Sequence, residues 1–156
     1  MNLTSPSFAP HGKIPSKYTC DGENISPPLK IEHVPANAKS LVLIMDDPDI
    51  PEFVKKKFNI EVWDHWIVFN IPPNTTEIKE GQNPVGILGK NTRGNNAYGG
   101  PCPPDKEHRY FFKLYALDMM LDLPEGVTKK QVEDAMEGHI LKLAELVGKY
   151  ERQQKI

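Results

Sequence analysis

SLVLIM, at residues 40–45, is a short apolar run that stops at the polar segment DDP, residues 46–48. Its length and its β-branched residues are typical of a buried strand. WIVFNI, at residues 66–71, predicts a second buried strand, and RYFFKLYAL, at residues 109–117, predicts a third that is rich in aromatic residues. The shorter segment LKIE, at residues 29–32, alternates apolar and polar residues, as a half-buried strand does. The chain therefore reads first as a β protein.

Loops, not helices, connect these predicted strands. The chain contains 15 Pro and 11 Gly, which favour short elements joined by turns. Residues 5–28 read as an irregular arm, residues 50–62 as an inserted loop, and residues 74–107 as a long, Gly-containing loop. A loop as long as the last one is uncommon in a compact domain and is often functional.

One helix is predicted, at the C-terminal end of the chain. Thr128 and Gln131 have the spacing of a capping box. Apolar residues follow at steps of three and four, which predicts one continuous helix with an apolar face; they are Val132, Met136, Ile140, Leu143, Val147 and Tyr150. Strands first and a helix last predict one domain over residues 1–156, a mainly β, mostly antiparallel sandwich with a C-terminal helix beside it.

The charge and hydropathy of the chain argue against two classes of binding partner, nucleic acids and the membrane interior. Nineteen basic residues are balanced by 21 acidic ones, and no basic stripe is present, which argues against nucleic acid. No apolar run approaches the roughly 18 residues of a membrane-spanning helix, and the first residues lack the features of a signal peptide. We therefore expect a cytoplasmic protein without integral membrane contact.

Polar residues gather where the predicted strands begin and end. The three segments are DDPDIP at residues 46–51, WDHW at residues 63–66, and GGPCPP at residues 99–104, which runs on to HRY at residues 108–110. Together they would bring two imidazoles, a carboxylate, a phenol and glycine amides around one cavity. A carboxylate beside an imidazole stabilises the imidazolium, which then offers a charge-assisted N–H to phosphate. The pattern predicts a site for a phosphate-like anion.

The same segments carry a resemblance to a known family. YTCDGENISPPL at residues 18–29, DPDIP at residues 47–51, His65 before a Trp-led strand, and GGPCPP with HRY resemble the motifs of the phosphatidylethanolamine-binding protein family. The match is to its bacterial and archaeal branch, the Raf kinase inhibitor-like proteins. Four motifs occur in the expected order over about 100 residues.

The resemblance implies a fold and a site that binds a small phosphorylated or carboxylate anion. The fold would be an antiparallel Greek-key β-sandwich with a C-terminal α-helix and a few short helices. The implied ligand-binding residues are Asp47, His65, Gly100, His108 and Tyr110. Both histidines would act as cationic N–H donors, Gly100 would supply a backbone N–H, and Asp47 would orient a histidine. The resemblance also implies a cis peptide before Pro51 and, without support from any sequence feature, a homodimer.

Our first functional hypothesis is non-catalytic binding of phosphate-like anions or phosphorylated head groups, with no cofactor and no metal. An alternative is a protease or kinase inhibitor that uses the pocket rim and the 50–62 loop, which lengthens the spacing from Asp47 to His65 relative to the family. A third hypothesis is an unrecognised hydrolase. Two further chemistries use the same residues: Cys102 as a nucleophile with a histidine base, and a metal held by both histidines and Asp47.

Cys20 and Cys102 lie in two of the family motifs, which we expect to meet near the pocket rim. Whether they pair stays open at this point. A reducing cytosol would keep them as free thiols, whereas intracellular disulfides occur in hyperthermophiles.

Overall fold

The computed structural model describes residues 1–153, which are built mainly from β-strands. In chain order the elements are β1 (Asn2–Thr4), β2 (Leu29–Glu32), β3 (Ser40–Asp47), α1 (Glu52–Phe58), β4 (Trp63–Ile71), β5 (Glu77–Ile78), β6 (Ile87–Leu88), β7 (His108–Leu117), α2 (Lys129–Met136) and β8 (Ile140–Tyr150). A short 3-10 turn occupies Ser16–Tyr18. None of the helices in this part of the chain is long and apolar enough to cross a membrane.

The strands form two sheets, and the apolar segment at residues 40–45 lies in the central strand of the larger one. β3 lies in the middle of a five-stranded sheet with the order β6-β4-β3-β7-β8, and β1, β2 and β5 form a three-stranded sheet. All pairings between these strands are antiparallel. Every residue of β3 is buried, including the aspartates at its end. The predicted mainly β, antiparallel class is confirmed.

The five-stranded sheet is covered on both faces. On one face its side chains share a core with the three-stranded sheet, where Leu43 and Phe112 belong to the same apolar cluster as Leu3 and Ile31. On the other face, residues such as Ile44 cluster with apolar side chains of α2 and the preceding loop, namely Leu121, Val127, Val132 and Met136. This double coverage explains why the sequence of β3 is continuously apolar and does not alternate.

The predicted C-terminal helix is correct only at its beginning. The capping box forms as expected, since the side chains of Thr128 and Gln131 each accept from the other's backbone N–H. The helix ends at Met136, Gly138 adopts a positive φ of 83°, and the remaining residues form β8. The extension of the helix to Tyr150 is therefore wrong.

The reason is that β8 gains a long ladder of backbone hydrogen bonds with β7. Its buried residues Ala144, Leu146 and Tyr150 follow a period of two and enter the core. Ile140 and Leu143, which completed the apparent helical stripe, are instead 46% and 50% exposed.

Two other expectations near the pocket are also wrong. Residues 50–62 are not simply a loop, because Glu52–Phe58 form α1, which ends where Asn59 adopts a left-handed φ of 55°. The helix buries none of its residues, so no apolar stripe announced it in the sequence. The peptide before Pro51 is trans.

A disulfide joins the N-terminal arm to the Gly-containing loop. Cys20 and Cys102 are bonded, with their Cα atoms 5.4 Å apart. Beside this bond the backbone N–H of Cys20 donates to the carbonyl of Pro101 at 3.1 Å, and the hydroxyl of Tyr98 donates to the carbonyl of Tyr18 at 2.7 Å. The pairing that the sequence left open is thus present, and it links the N-terminal arm covalently to the loop that contains Cys102.

We predict that removing this disulfide lowers the free energy of unfolding by about 3–5 kcal/mol, because the cross-link restricts a long loop of the unfolded chain. The two cysteines are 82 positions apart. Urea unfolding of the oxidised protein, the reduced protein and the Cys20→Ala, Cys102→Ala variant measures the difference. Thiol counting in denaturant without reductant is the control. Two reactive thiols in the purified protein would contradict the bond.

Candidate binding pocket

A cavity of about 410 Å³ lies beside one end of the strands of the five-stranded sheet. The C-terminal end of β3 lies there beside the N-terminal ends of β4 and β7, because both neighbours run antiparallel to β3. All five residues predicted for the site line this cavity: Asp47, His65, Gly100, His108 and Tyr110. The structure therefore brings them together, and their role toward a ligand stays a prediction.

His108 lies between two carboxylates. Its Nδ1 is 2.7 Å from Oδ2 of Asp47, and its Nε2 is 2.6 Å from Oδ1 of Asp105. A carboxylate can only accept, so both ring nitrogens donate and the ring is an imidazolium. Burial alone would lower the pKa of His108, but the hydrogen bonds and charges of the two carboxylates outweigh it and raise that pKa. His108 is the expected cation, but both of its N–H groups are used within the protein.

Asp47 is itself held in place by the motif around it. Its Oδ1 accepts the backbone N–H of Asp49 at 2.7 Å. Asp49 in turn accepts two hydrogen bonds from the guanidinium of Arg109, at 2.9 and 2.8 Å. These bonds with Arg109 hold the pKa of Asp49 below its usual value. These hydrogen bonds connect the DPDIP segment to the HRY segment. Asp47 contacts His108, as predicted.

His65 differs from the expectation of a cationic donor. Its Nδ1 lies 2.6 Å from the carbonyl oxygen of Gly99, which can only accept, so Nδ1 carries the proton. Burial lowers the pKa of His65 and outweighs the hydrogen bond and the nearby carboxylates, which act in the opposite direction. The ring is therefore neutral at neutral pH, and its Nε2 presents a lone pair. Nε2 has no hydrogen-bond partner among residues 1–153.

Gly100 also differs in detail from its predicted role. Its backbone N–H donates to Oδ1 of Asn24 at 2.9 Å, so this N–H is already used within the protein. A Cβ at this position would collide with the same side-chain oxygen and would lie 2.5 Å from the carbonyl oxygen of Tyr18. Glycine is needed here because the N-terminal arm packs directly against the loop.

Tyr110 supplies the unpartnered donor of the pocket. The residue is completely buried, and its hydroxyl makes no hydrogen bond within the described residues 1–153. Burial raises the pKa of this phenol, so the group stays neutral and keeps its proton. A buried hydroxyl without a partner costs about 1–3 kcal/mol. Its ring lies edge-on to that of His65, with the centroids 5.3 Å apart.

The mouth of the pocket is apolar and aromatic. Phe53 and Phe58 of α1 are 62% and 45% exposed, and Phe58 packs edge-on against Trp63 with ring centroids 5.1 Å apart. The guanidinium of Arg93 lies 5.7 Å from the centroid of the Trp63 ring. Arg93 is the one Lys or Arg among the described residues that line the cavity. The mouth of the pocket thus contains one cation, Arg93, beside the exposed aromatic rings of Phe53 and Phe58.

Three residues of the site were not predicted from the sequence. Asp105 stands three positions before His108 in the sequence. This short spacing between a carboxylate and a histidine could have indicated their contact. Asn24 lies inside a quoted motif, but only the close approach of the arm to Gly100 reveals its contact. Arg93 belongs to a segment without a recognisable pattern.

Two of the alternative chemistries find no support in the geometry. Cys102 is bonded to Cys20 and has no thiol to act as a nucleophile. Among residues 1–153, no group of three or more His, Cys, Asp or Glu side chains is arranged to hold a metal ion.

We predict that Asp47→Asn lowers the pKa of His108, because the amide removes one of the charges that stabilise the imidazolium. Histidine ring titration by NMR measures this in wild type and variant. Asp118→Asn is the matched control, since Asp118 contacts His139 and not His108. An unchanged His108 titration in Asp47→Asn would contradict the assignment.

The same pair sets a pH dependence of stability. The folded-state pKa of His108 is raised above its unfolded value of about 6.5. Its stabilising contribution is therefore complete below about pH 6.5 and is lost as the pH rises through the folded-state pKa. Urea unfolding as a function of pH should show this loss in wild type and a weaker one in Asp47→Asn.

Comparison with known proteins agrees with the motifs. The family model for phosphatidylethanolamine-binding proteins matches residues 4–151. A UPF0098 protein of Methanothermobacter thermautotrophicus is 52% identical over 158 residues, which cover 97% of this chain and 99% of that protein. The crystal structure of CT736 from Chlamydia trachomatis, named as a homologue of this family, has a TM-score of 0.92 at 49% identity and covers 97% of both chains.

A second solved structure extends the comparison. YbcL of E. coli, described as a new member of the mammalian family, has a TM-score of 0.86 at 28% identity, with 97% of this chain and 98% of that chain covered. The resemblance read from the motifs is confirmed, and the chain belongs to the phosphatidylethanolamine-binding protein family.

Proposed function

We propose that this protein binds a small phosphorylated or carboxylate anion in the pocket and does not turn it over. The observation that carries the proposal is the hydroxyl of Tyr110, a buried donor that lines the cavity and has no partner in the described part of the protein. An oxygen of an anion would satisfy this donor and remove its desolvation cost. The name of the family likewise describes binding.

The carboxylates around the pocket contact cations of the protein, which limits their repulsion of an anion. Asp47 and Asp105 both contact the imidazolium of His108. Asp64 is paired with Nζ of Lys129 at 2.7 Å. Arg93 at the mouth is a cation without a carboxylate partner among residues 1–153, so it is available to a ligand.

Binding without turnover is supported by the state of the candidate nucleophiles. Cys102 is held in a disulfide, and burial raises the pKa of the Tyr110 phenol. Neither group can form the anion that covalent catalysis requires near neutral pH. Turnover of phosphate or acyl esters by the wild type, abolished in His65→Ala, would contradict this part of the proposal.

We predict that Tyr110→Phe weakens the binding of inorganic phosphate by about tenfold or more, because a hydrogen bond to a charged ligand contributes about 1.5–3 kcal/mol. Isothermal titration calorimetry measures the affinities. Tyr115→Phe is the matched control, since Tyr115 lies on the same strand but packs with the cluster on the opposite face of the sheet. Equal affinities of wild type and Tyr110→Phe would contradict the proposed role, as would no binding of millimolar phosphate by the wild type.

A second candidate function is inhibition of a protease or kinase through the pocket rim and α1. The observation that favours it is the exposure of Phe53 and Phe58 beside the pocket mouth. Adjacent exposed aromatic side chains are typical of protein interaction sites.

For this second function we predict that Phe53→Ala reduces inhibition at least tenfold, since truncating an aromatic anchor removes its buried contact area. A panel of purified proteases and kinases provides the assay, and phosphate binding should be unchanged in the variant. Val85→Ala is the control, because Val85 is also exposed but does not line the pocket. A panel in which the wild type inhibits nothing would reject this candidate.

A further inference from the structure

We propose that the disulfide between Cys20 and Cys102 is a reversible redox modification site, which a dithiol reduces while the protein stays folded. Its reduction releases residues 100–105, which we call the wall segment because most of them line one side of the pocket. The dithiol would be a small molecule or the CxxC centre of a thiol–disulfide oxidoreductase. The redox chemistry does not depend on which ligand the pocket takes, and only its effect on binding rests on the proposed function.

Both sulfur-bearing residues are within reach of a reductant. Cys20 and Cys102 are each half-buried, and both line the cavity of about 410 Å³. Neither belongs to the two apolar clusters that form the core of the described residues 1–153. A thiolate can therefore approach the bond without opening the core. Disulfides that are exposed in this way are more readily reduced than those buried in a core.

The reduction is an ordinary thiol–disulfide exchange in two steps. A thiolate of the dithiol attacks one sulfur of the bond and forms a mixed disulfide, while the other sulfur leaves as a thiolate and takes up a proton. The second thiolate of the dithiol then displaces the remaining cysteine and closes a disulfide of its own. The protein gains two electrons and two protons, and the dithiol loses them.

The disulfide is the strongest link between the wall segment and the N-terminal arm. Two hydrogen bonds accompany it: the N–H of Cys20 donates to the carbonyl of Pro101 at 3.1 Å, and the N–H of Gly100 donates to Oδ1 of Asn24 at 2.9 Å. Single hydrogen bonds are weak beside a covalent cross-link. Within the described chain, no residue of the wall segment belongs to an apolar cluster. Breaking the disulfide therefore removes most of this attachment.

The structure on either side of the wall segment has attachments of its own. Gly99, just before it, donates its N–H to the carbonyl of His65 at 2.9 Å. The arm is fixed through Asp21, which accepts hydrogen bonds from the hydroxyl of Tyr150 and from Nε of Arg152. Neither contact involves the disulfide. Reduction should therefore release a tethered loop between Gly99 and β7 and leave the sheets intact.

Release of the wall segment would open one side of the pocket. Gly100, Cys102, Pro103 and Pro104 line the cavity, together with Asn24 of the arm. Only molecules with this wall in place present the complete pocket, and the apparent affinity for a ligand falls with their fraction. Under the proposed function, we expect reduction to weaken the binding of inorganic phosphate at least about fivefold.

The first measurement is the rate at which dithiothreitol releases two thiols from the native protein, compared with the rate in concentrated urea. We expect the native rate to be slower by less than about a thousandfold, because the bond is reachable without unfolding. A greater slowing would be of the size that global unfolding imposes. It would show that the bond opens only in the unfolded chain, and the proposal would be overturned.

Amide hydrogen exchange, followed by NMR, measures the release itself. After reduction, the amides of Cys20 and Gly100 should exchange at least about tenfold faster, because their hydrogen bonds cross between the two segments. The amides of Asn24 and Gly99 are matched controls. The first bonds to Lys17 within the arm and the second to His65, so both should change less than about threefold. Reoxidation should restore the original rates.

Two variants separate the covalent link from the hydrogen bonds beside it. The Cys20→Ala, Cys102→Ala variant should exchange like the reduced wild type and should not respond to dithiothreitol. In Asn24→Ala the disulfide remains, so the amide of Cys20 should stay protected until dithiothreitol is added. Circular dichroism checks that each protein is folded, and reduced wild type provides the open form if the double variant does not fold.

Calorimetry with phosphate, in the oxidised and the reduced protein, tests the effect on the pocket. Equal affinities of the two forms would overturn the proposed control of the pocket. Unchanged exchange of the Cys20 and Gly100 amides after complete reduction would overturn the release of the wall segment. If neither form binds millimolar phosphate, the proposed function is wrong, and the exchange rates alone decide whether the disulfide holds the wall segment in place.

Discussion

The hydrogen-bonded ion pair between Asp47 and His108 is the constraint on which the pocket depends. It joins the end of β3 to the start of β7 at 2.7 Å, in a place where both side chains are almost fully shielded from water. Removing His108 would leave the buried carboxylate of Asp47 without its cation, which is strongly destabilising. Asp49, Arg109 and Asp105 complete the network from the adjoining loops. Because this network occupies both N–H groups of His108, the free polar atoms of the neighbouring rings are Nε2 of His65 and the hydroxyl of Tyr110.

The fold was predictable where local patterning and tertiary structure agree. The apolar runs at residues 40–45 and 66–71 lie in β3 and β4, since a strand buried on both faces leaves a continuous signal in the sequence. The aromatic-rich segment at residues 109–117 lies in β7. β8 was not recognised because Ile140, Leu143 and Val147 happen to fall at helical spacing. The alternation of Ala144, Leu146 and Tyr150 was also present, and pairing with β7 decided between the two periods. A strand's partner lies far away in sequence, and a single local pattern does not contain it.

The members of the site were predictable from the motifs, but their hydrogen-bonding states were not. Which histidine is charged depends on what its nitrogens contact. His108 contacts carboxylates and is cationic, whereas His65 contacts a backbone carbonyl and is neutral. Both look alike in sequence, as histidines at strand ends. Likewise, nothing local to Gly100 shows that Asn24 takes its N–H, because that contact spans 76 positions. The motifs therefore predict which residues line the pocket, whereas the protonation states of the two histidines depend on contacts with distant segments.

The complete burial of β3 has a consequence for how this protein can change. The strand has no exposed position, and its last two residues are the aspartates that hold the charged groups beside the pocket. Substitutions there would disturb both the fold and the charged groups beside the pocket, so neither can be changed alone from this strand. Asn24, Arg93 and Asp105 lie on loops outside the sheets and contact the same pocket or its cation. For the binding function proposed above, a change of ligand preference is therefore most accessible through those loop residues, without substitutions in β3.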